Sequence, residues 1–211
     1  MSLEHLVFPS GLLGTNTALV WCTRTREGVL IDPAGEPEEI MDIALEHGIA
    51  IRGIALTHAH FDHAAAVPLL KELTQADLYV HPLDLPLWEG MEGQCNHFGL
   101  PPFSLPEPDL MLEEGGSIEF GRQKLAVMHL PGHSPGSCGF LACEPSLLFC
   151  GDVAFARGVG RTDLWGGSDA ALQSSLVRLR ALPDTIEIIP GHGATFRASS
   201  IGVRAQTLND Y

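Results

Sequence analysis

The segment Thr57-His58-Ala59-His60-Phe61-Asp62-His63 constrains this chain more than any other. Four metal-ligand side chains fall within six residues, directly after the apolar run Ile54-Ala55-Leu56. A short apolar run of that kind reads as a buried strand, so the ligands stand where a strand ends and a loop begins. Imidazole nitrogen and carboxylate oxygen together suit zinc, iron or manganese. Four such groups on so short a segment cannot easily converge on one ion. The expected use is a split, with His58 and His60 on one metal and Asp62 and His63 on a second, which makes the segment the start of a two-metal hydrolytic site.

A site of this kind needs a rigid frame. At 211 residues, 45% of them apolar and 18% charged, the chain is expected to form a single domain over residues 1–211 with a sizeable core. The net charge is −14, and the 12 Lys and Arg form no block, which excludes a nucleic-acid partner. No run of about 18 apolar residues exists, so no membrane-spanning helix is expected. The N-terminus has no basic region followed by an apolar stretch, so no secretory signal is expected either. The five cysteines are odd in number and form no Cys-x-x-Cys, as reduced thiols of a cytoplasmic protein would.

Strands are expected at Thr17–Cys22, Val29–Ile31, Ile51–Leu56, Leu78–Val80, Leu125–His129, Phe140–Cys143, Leu147–Cys150 and Ile186–Ile189. Between them, Glu36–Glu46 reads as an amphipathic helix with Pro37 at its start and Gly48 as its stop. Ala64–Leu73 reads as a helix after the histidine motif. Ser168–Ala181 reads as a longer one, with Leu172, Leu176 and Leu179 at helical spacing and Ser168 or Asp169 as cap. The class is mixed α and β, without an internal repeat. The proline-rich stretch from Pro82 to Gly116, with Trp88, Met91, Phe98 and Phe103, is either a surface excursion packing a small core of its own or a wall over the metal site.

Three further ligands repeat one pattern of apolar strand, tight Gly or Pro turn, then ligand. They are His133 in Leu130-Pro131-Gly132-His133, Asp152 in Cys150-Gly151-Asp152, and His192 in Pro190-Gly191-His192-Gly193. Glycine beside a ligand lets the backbone approach a crowded centre. With His58/His60/Asp62/His63, these residues resemble the metallo-β-lactamase fold superfamily, whose opening signature is His-x-His-x-Asp-His. Gly14-Thr15-Asn16-Thr17 resembles its opening strand, so the likeness covers nearly the whole chain. It implies an α/β fold, a four-layer αβ/βα sandwich with the metals at one edge. It also implies one metal on His58, His60 and His133, another on Asp62, His63 and His192, and Asp152 bridging them together with a hydroxide. Asp62 and Asp152 would then act in catalysis through that metal-bound hydroxide. His5, His47, His81, His97 and His129 lack the pattern and are expected to be ordinary histidines; His129, which alternates with the apolar Val127, is the one placed to stand behind the ligands. Cys150 is expected to pack within its strand.

The implied cofactors are two divalent ions, zinc first, with iron or manganese as alternatives. Their charge dominates the local field, so the acidic composition says little about what binds there. Gly158-Val159-Gly160 is not a dinucleotide loop, since Asp163 stands where a third glycine belongs. A thioester is the expected substrate, because its leaving thiol has a pKa of about 8.5 and needs little help from an acid. Gly158-Val159-Gly160-Arg161-Thr162-Asp163 is similar to a segment of glyoxalase II-like hydrolases and of persulfide dioxygenases. Arg161 either anchors a substrate carboxylate or braces Asp163 or Asp169. Full-length glyoxalase II enzymes carry a basic C-terminal helical domain that binds glutathione. Here 19 residues follow His192, with Arg197 and Arg204 as their basic residues, so that domain is not expected. S-lactoylglutathione or a related acyl thioester is the leading substrate, with a homo-oligomer possible. An iron persulfide dioxygenase using His58, His133 and Asp152 is the alternative. A non-catalytic metal-binding module would have lost a ligand, and none is missing.

Overall fold

A computed structural model of the chain describes residues 2–201; Arg204 lies outside them. Strands β1 (Leu3–Ser10), β2 (Thr15–Cys22), β3 (Glu27–Ile31), β4 (Ala50–Ala55), β5 (Asp77–Val80) and β6 (Leu110–Met111) form one sheet in that order. Strands β7 (Ser117–Phe120), β8 (Gln123–His129), β9 (Cys138–Ala142) and β10 (Leu147–Gly151) follow as an antiparallel run. A small hairpin, β11 (Ala154–Phe155) with β12 (Gly158–Val159), stands apart. Strand β13 (Glu187–Pro190) then pairs parallel with β10, and β14 (Phe196–Arg197) closes the second sheet beside it. The helices are α1 (Pro37–Glu46), α2 (Phe61–Ala64), α3 (Val67–Thr74), α4 (Leu85–Glu89), α5 (Met91–His97) and α6 (Asp169–Arg180).

The apolar runs of the sequence are continuous because both faces of each sheet are covered. In β2, Ala18, Val20 and Cys22 enter the core between the sheets, where they meet Leu125, Val127 and Phe140 of the second sheet. Leu19 and Trp21 point the other way, into a core shared with Ile40 and Ala44 of α1, Val67 and Leu70 of α3, and Leu87, Trp88 and Met91 of α4 and α5. On the far side, Leu148, Cys150 and Ile188 pack against Leu172, Leu176 and Leu179 of α6. Helices, sheet, sheet and helix make the expected four-layer αβ/βα sandwich. Each fully buried Leu, Ile or Phe contributes roughly 1.5–3 kcal/mol. A slip of one residue in β2 or β10 would exchange two apolar faces that fit different cores, so the register is fixed.

The expected strands all form. Strand β1 escapes the pattern because Pro9 breaks its run. It is tolerated because β1 lies at the sheet edge, paired with β2 alone. The helix expected over Ala64–Leu73 is split into α2 and α3, with Pro68 in the first turn of α3, where its missing N–H costs nothing. Ser168 caps α6 by accepting from the Ala171 amide, as expected. The proline-rich stretch holds α4 and α5. It buries Trp88 in the shared core, with its Nε1 donating to the Pro106 carbonyl, and leaves Phe98 42% exposed. Among the described residues no helix is long and apolar enough to cross a membrane.

Candidate metal centre

The ligand-bearing turns gather at one edge because of strand direction. Strands β8 and β10 are each antiparallel to β9, and β13 is parallel to β10, so the chain leaves all three at the same side. There they deliver His133, Asp152 and His192. Strand β4 brings Thr57–His63 to the same edge, and the Cys138 amide donates to the Thr57 carbonyl across 2.7 Å to join the sheets. Two glycines are required for the approach. Gly151 sits at φ +53, and a side chain there would strike Thr57. A Cβ on Gly191 would overlap the Asp152 carboxylate and come within 2.7 Å of His63 Cε1.

All seven expected ligands converge. In one group, His133 Nε2 stands 2.9 Å from His60 Nδ1 and 3.2 Å from His58 Nε2. In the other, Asp62 Oδ2 lies 3.2 Å from His192 Nε2 and 3.5 Å from His63 Nε2. Asp152 lies between them, with Oδ2 3.7 Å from His133 Nε2 and 3.6 Å from His192 Nε2, and Oδ1 3.5 Å from His63 Nε2. Ligand atoms on a tetrahedral ion with bonds of about 2.0–2.2 Å stand roughly 3.3–3.6 Å apart, and the observed separations scatter around that span. His63 Nε2 and Asp152 Oδ1 are also buried without a hydrogen bond. Leaving such atoms unpaired costs about 1–3 kcal/mol each, a cost that a shared cation removes. The residues present therefore fit two divalent ions, one per group.

The groups differ electrically. Burial, reinforced by the neighbouring imidazoles, pushes His58 well below the usual histidine range and His60 down to about 3, so both offer neutral nitrogens. Burial also opposes a charge on His63, but Asp62, Asp32 and Asp152 outweigh it and hold that imidazole well above its ordinary value. His192 is likewise raised: burial is outweighed by its hydrogen bond to Asp62 and by Asp152. Burial opposes the charge on Asp152, yet His63 and then His133 and His192 keep its carboxyl far below the usual range.

Several residues that hold the ligands were not singled out from the sequence. Asp32, buried at the end of β3, accepts from the Thr57 amide (2.7 Å) and hydroxyl (2.6 Å) and lies 3.0 Å from His63 Nδ1. Thr57 Oγ1 in turn meets His58 Nδ1 at 3.1 Å. Asp84, fully buried, accepts from the amides of Ala59 (3.0 Å) and Gly136 (2.6 Å) and from the Ser134 hydroxyl (2.7 Å). Gln94 of α5 accepts from the Phe61 amide and donates to the Ala59 and Leu87 carbonyls. Thr15 Oγ1 donates to the Asp62 carbonyl, and Asn16 Nδ2 to the carbonyls of Pro190 and Gly193 on either side of His192. Arg161 grips Asp163 through two bonds of 2.7 and 2.8 Å, the brace geometry, while its carbonyl accepts from His133 Nδ1 at 2.8 Å. His129 reaches the Pro135 carbonyl and stacks on His81 instead of touching a ligand. Cys150 is buried in its strand as expected, and Cys143 alone among the free cysteines is exposed.

Fold and site together define a metal-dependent enzyme of a known class. The family model of the metallo-beta-lactamase superfamily matches residues 10–192, and the chain belongs to that superfamily, whose members are typically metal-dependent hydrolases. Hydroxyacylglutathione hydrolase GloC of Haemophilus influenzae is 34% identical over 197 residues, 92% of each protein. The crystal structure of TTHA1623 in a di-iron-bound form has a TM-score of 0.83 at 42% identity, covering 92% of this chain and 96% of that one. The B3 metallo-β-lactamase BLEG-1 has a TM-score of 0.86 at 30% identity, covering 93% and 95%.

Proposed function

We propose that the protein is a two-metal hydrolase that cleaves a thioester of the hydroxyacylglutathione type. The observation that carries the reading is the convergence of two complete ligand groups, His58/His60/His133 and Asp62/His63/His192, on either side of Asp152. Two divalent ions held by these residues would supply Lewis acidity, for activating water near neutral pH and for offsetting charge on the acyl oxygen. The chain's own residues set the rest. His133 donates from Nδ1 to the Arg161 carbonyl, which leaves its Nε2 lone pair facing the centre. Asp32 fixes His63 directly and His58 through Thr57. A thiolate leaves without a proton donor, so the site needs no further acid. Likeness to GloC over almost the full length of both chains supports the thioester. The di-iron form of TTHA1623 keeps iron beside zinc as the metal.

The test is turnover of S-lactoylglutathione by metal-loaded protein, with metal counted per chain. We expect two ions and hydrolysis. An iron dioxygenase would need only His58, His133 and Asp152, leaving Asp62 and His192 idle. One iron per chain with oxygen uptake on glutathione persulfide, and no thioester cleavage, would establish that alternative. Cleavage of a β-lactam alone would move the substrate toward that of BLEG-1. Arg161 is the proposed carboxylate anchor only if it leaves Asp163 when substrate binds. Arg161→Ala then raises KM for S-lactoylglutathione more than it lowers kcat.

A further inference from the structure

A cavity of about 530 Å³ opens between α4, α5 and the loop that follows Arg161. Its wall is formed by Leu83, Pro86, Leu87, Pro135 and Trp165, with Gly90, Gly93 and Gly166 adding bare backbone. Among the described residues Gln94 is its one side chain with an amide or hydroxyl, and the Gln94 amide is already committed to the backbone of Phe61, Ala59 and Leu87. Among the described residues no charged side chain lines it. The nearby Arg161 guanidinium is held by Asp163. The cavity is of small-molecule size and has little to offer an anion.

Three links tie it to the candidate metal centre. Pro135 follows His133 by two residues. Gln94 holds the backbone on both sides of His60. Trp165 and Gly166 lie on the loop that begins at Arg161, whose carbonyl fixes His133. An aromatic chain continues the wall: Trp165 meets His97 at 5.2 Å and Phe98 at 6.3 Å between ring centroids, and Phe98 meets Phe61 of the metal motif at 5.0 Å. Trp165 is 39% exposed and borders this apolar cavity.

We infer that this cavity receives the apolar acyl chain of the thioester substrate, so that the enzyme prefers acyl groups longer than lactoyl. This rests on the thioester reading above and names its substrate class. The acyl side is favoured because the thiol carrier of that reading, glutathione, bears carboxylates, for which the cavity has no partner.

Gly93 provides the test. It lines the cavity from within α5 and has open space where a Cβ would project, so Gly93→Leu places an apolar side chain at the cavity wall with no clash at its Cβ and improves helix propensity. One measurement is kcat/KM for acetyl, butyryl, hexanoyl and octanoyl thioesters of one thiol. A second is binding of the matching S-alkyl thioethers, which cannot be hydrolysed, by calorimetry. Each buried methylene should raise kcat/KM and affinity about fourfold. Gly93→Leu should cut the octanoyl-to-acetyl ratio tenfold or more, and Trp165→Ala should flatten the series. A flat acyl series in the wild type overturns the assignment, as does a series that follows the thiol instead, or one that Gly93→Leu and Trp165→Ala both leave unchanged. If no thioester is cleaved but the thioethers bind with a length dependence that Gly93→Leu removes, the cavity stands and the thioester reading falls.

Discussion

The ligand-bearing turns and the stretch from His81 to Gly116 meet at the same edge of the sandwich, but they are built on opposite plans. Each turn is short, follows a buried strand and ends in a side chain that faces the centre. The longer stretch gives no ligand. It sends Asp84 and Gln94 into the turns from behind and binds their backbone through bonds of 2.6–3.2 Å. The turns thus carry the chemistry, and the stretch sets where the turns lie. The division implies that the two regions fail differently when altered, one through metal and the other through the fold.

The largest effect is expected at Asp152. Asp152→Ala removes the carboxylate that lies between both ligand groups. Metal analysis should find at most one ion per chain, and thioester turnover should fall by about 10³-fold or more. Asp84→Ala should act by the other route. It leaves the Ala59 and Gly136 amides buried without an acceptor, at a cost of about 3 kcal/mol in denaturant unfolding of the metal-stripped protein. If Asp152→Ala destabilises the metal-stripped protein more than Asp84→Ala does, the division is wrong.

The same contrast explains what could be read from the sequence. The seven ligands were legible because their signal is local: a residue type that binds metal, at the end of an apolar run, beside glycine or proline. The strands were legible because burial on two faces leaves long apolar runs. Asp32 and Asp84 carry no such mark. Asp32-Pro33 and Asp84-Leu85-Pro86 read as ordinary turn acids, and their partners lie 25 residues away at Thr57 and 52 residues away at Gly136. Gln94 sits on a short helix within a stretch whose prolines hide any period. Thr15 and Asn16 were noticed as part of a resemblance, but their role, holding Asp62 and the His192 turn, appears only when β2 is placed against that turn.

Gln94→Ala should show a smaller effect of mixed kind. It frees the Phe61 amide and the Ala59 carbonyl, the peptide groups that flank His60. Stability of the metal-stripped protein should fall by about 1–3 kcal/mol and affinity for the more weakly held ion about tenfold. A loss of affinity with no loss of stability would place Gln94 with the turns and blur the boundary.

The smallest effect lies at the start of the stretch and separates its pH response from that of the ligands. His81 stacks on His129 with ring centroids 4.1 Å apart, and its Nδ1 accepts from the Leu83 amide. Burial, and then the neighbouring His129, pushes His81 down to about 4. In the unfolded chain the same side chain titrates at about 6.5. Between those values the unfolded state binds a proton that the folded state refuses, so the contribution of His81 to stability is present above about pH 6.5 and is lost as pH falls toward 4. Asn at this position keeps an acceptor for the Leu83 amide without the titration. The two proteins share every ligand histidine, so their difference isolates His81. In denaturant unfolding of the metal-stripped proteins, His81→Asn should be the less stable near pH 7, and its deficit should shrink steadily toward pH 4. A deficit that stays constant over this range would show that the stack does not keep His81 neutral, and that the pH response of the fold belongs to the ligand turns alone.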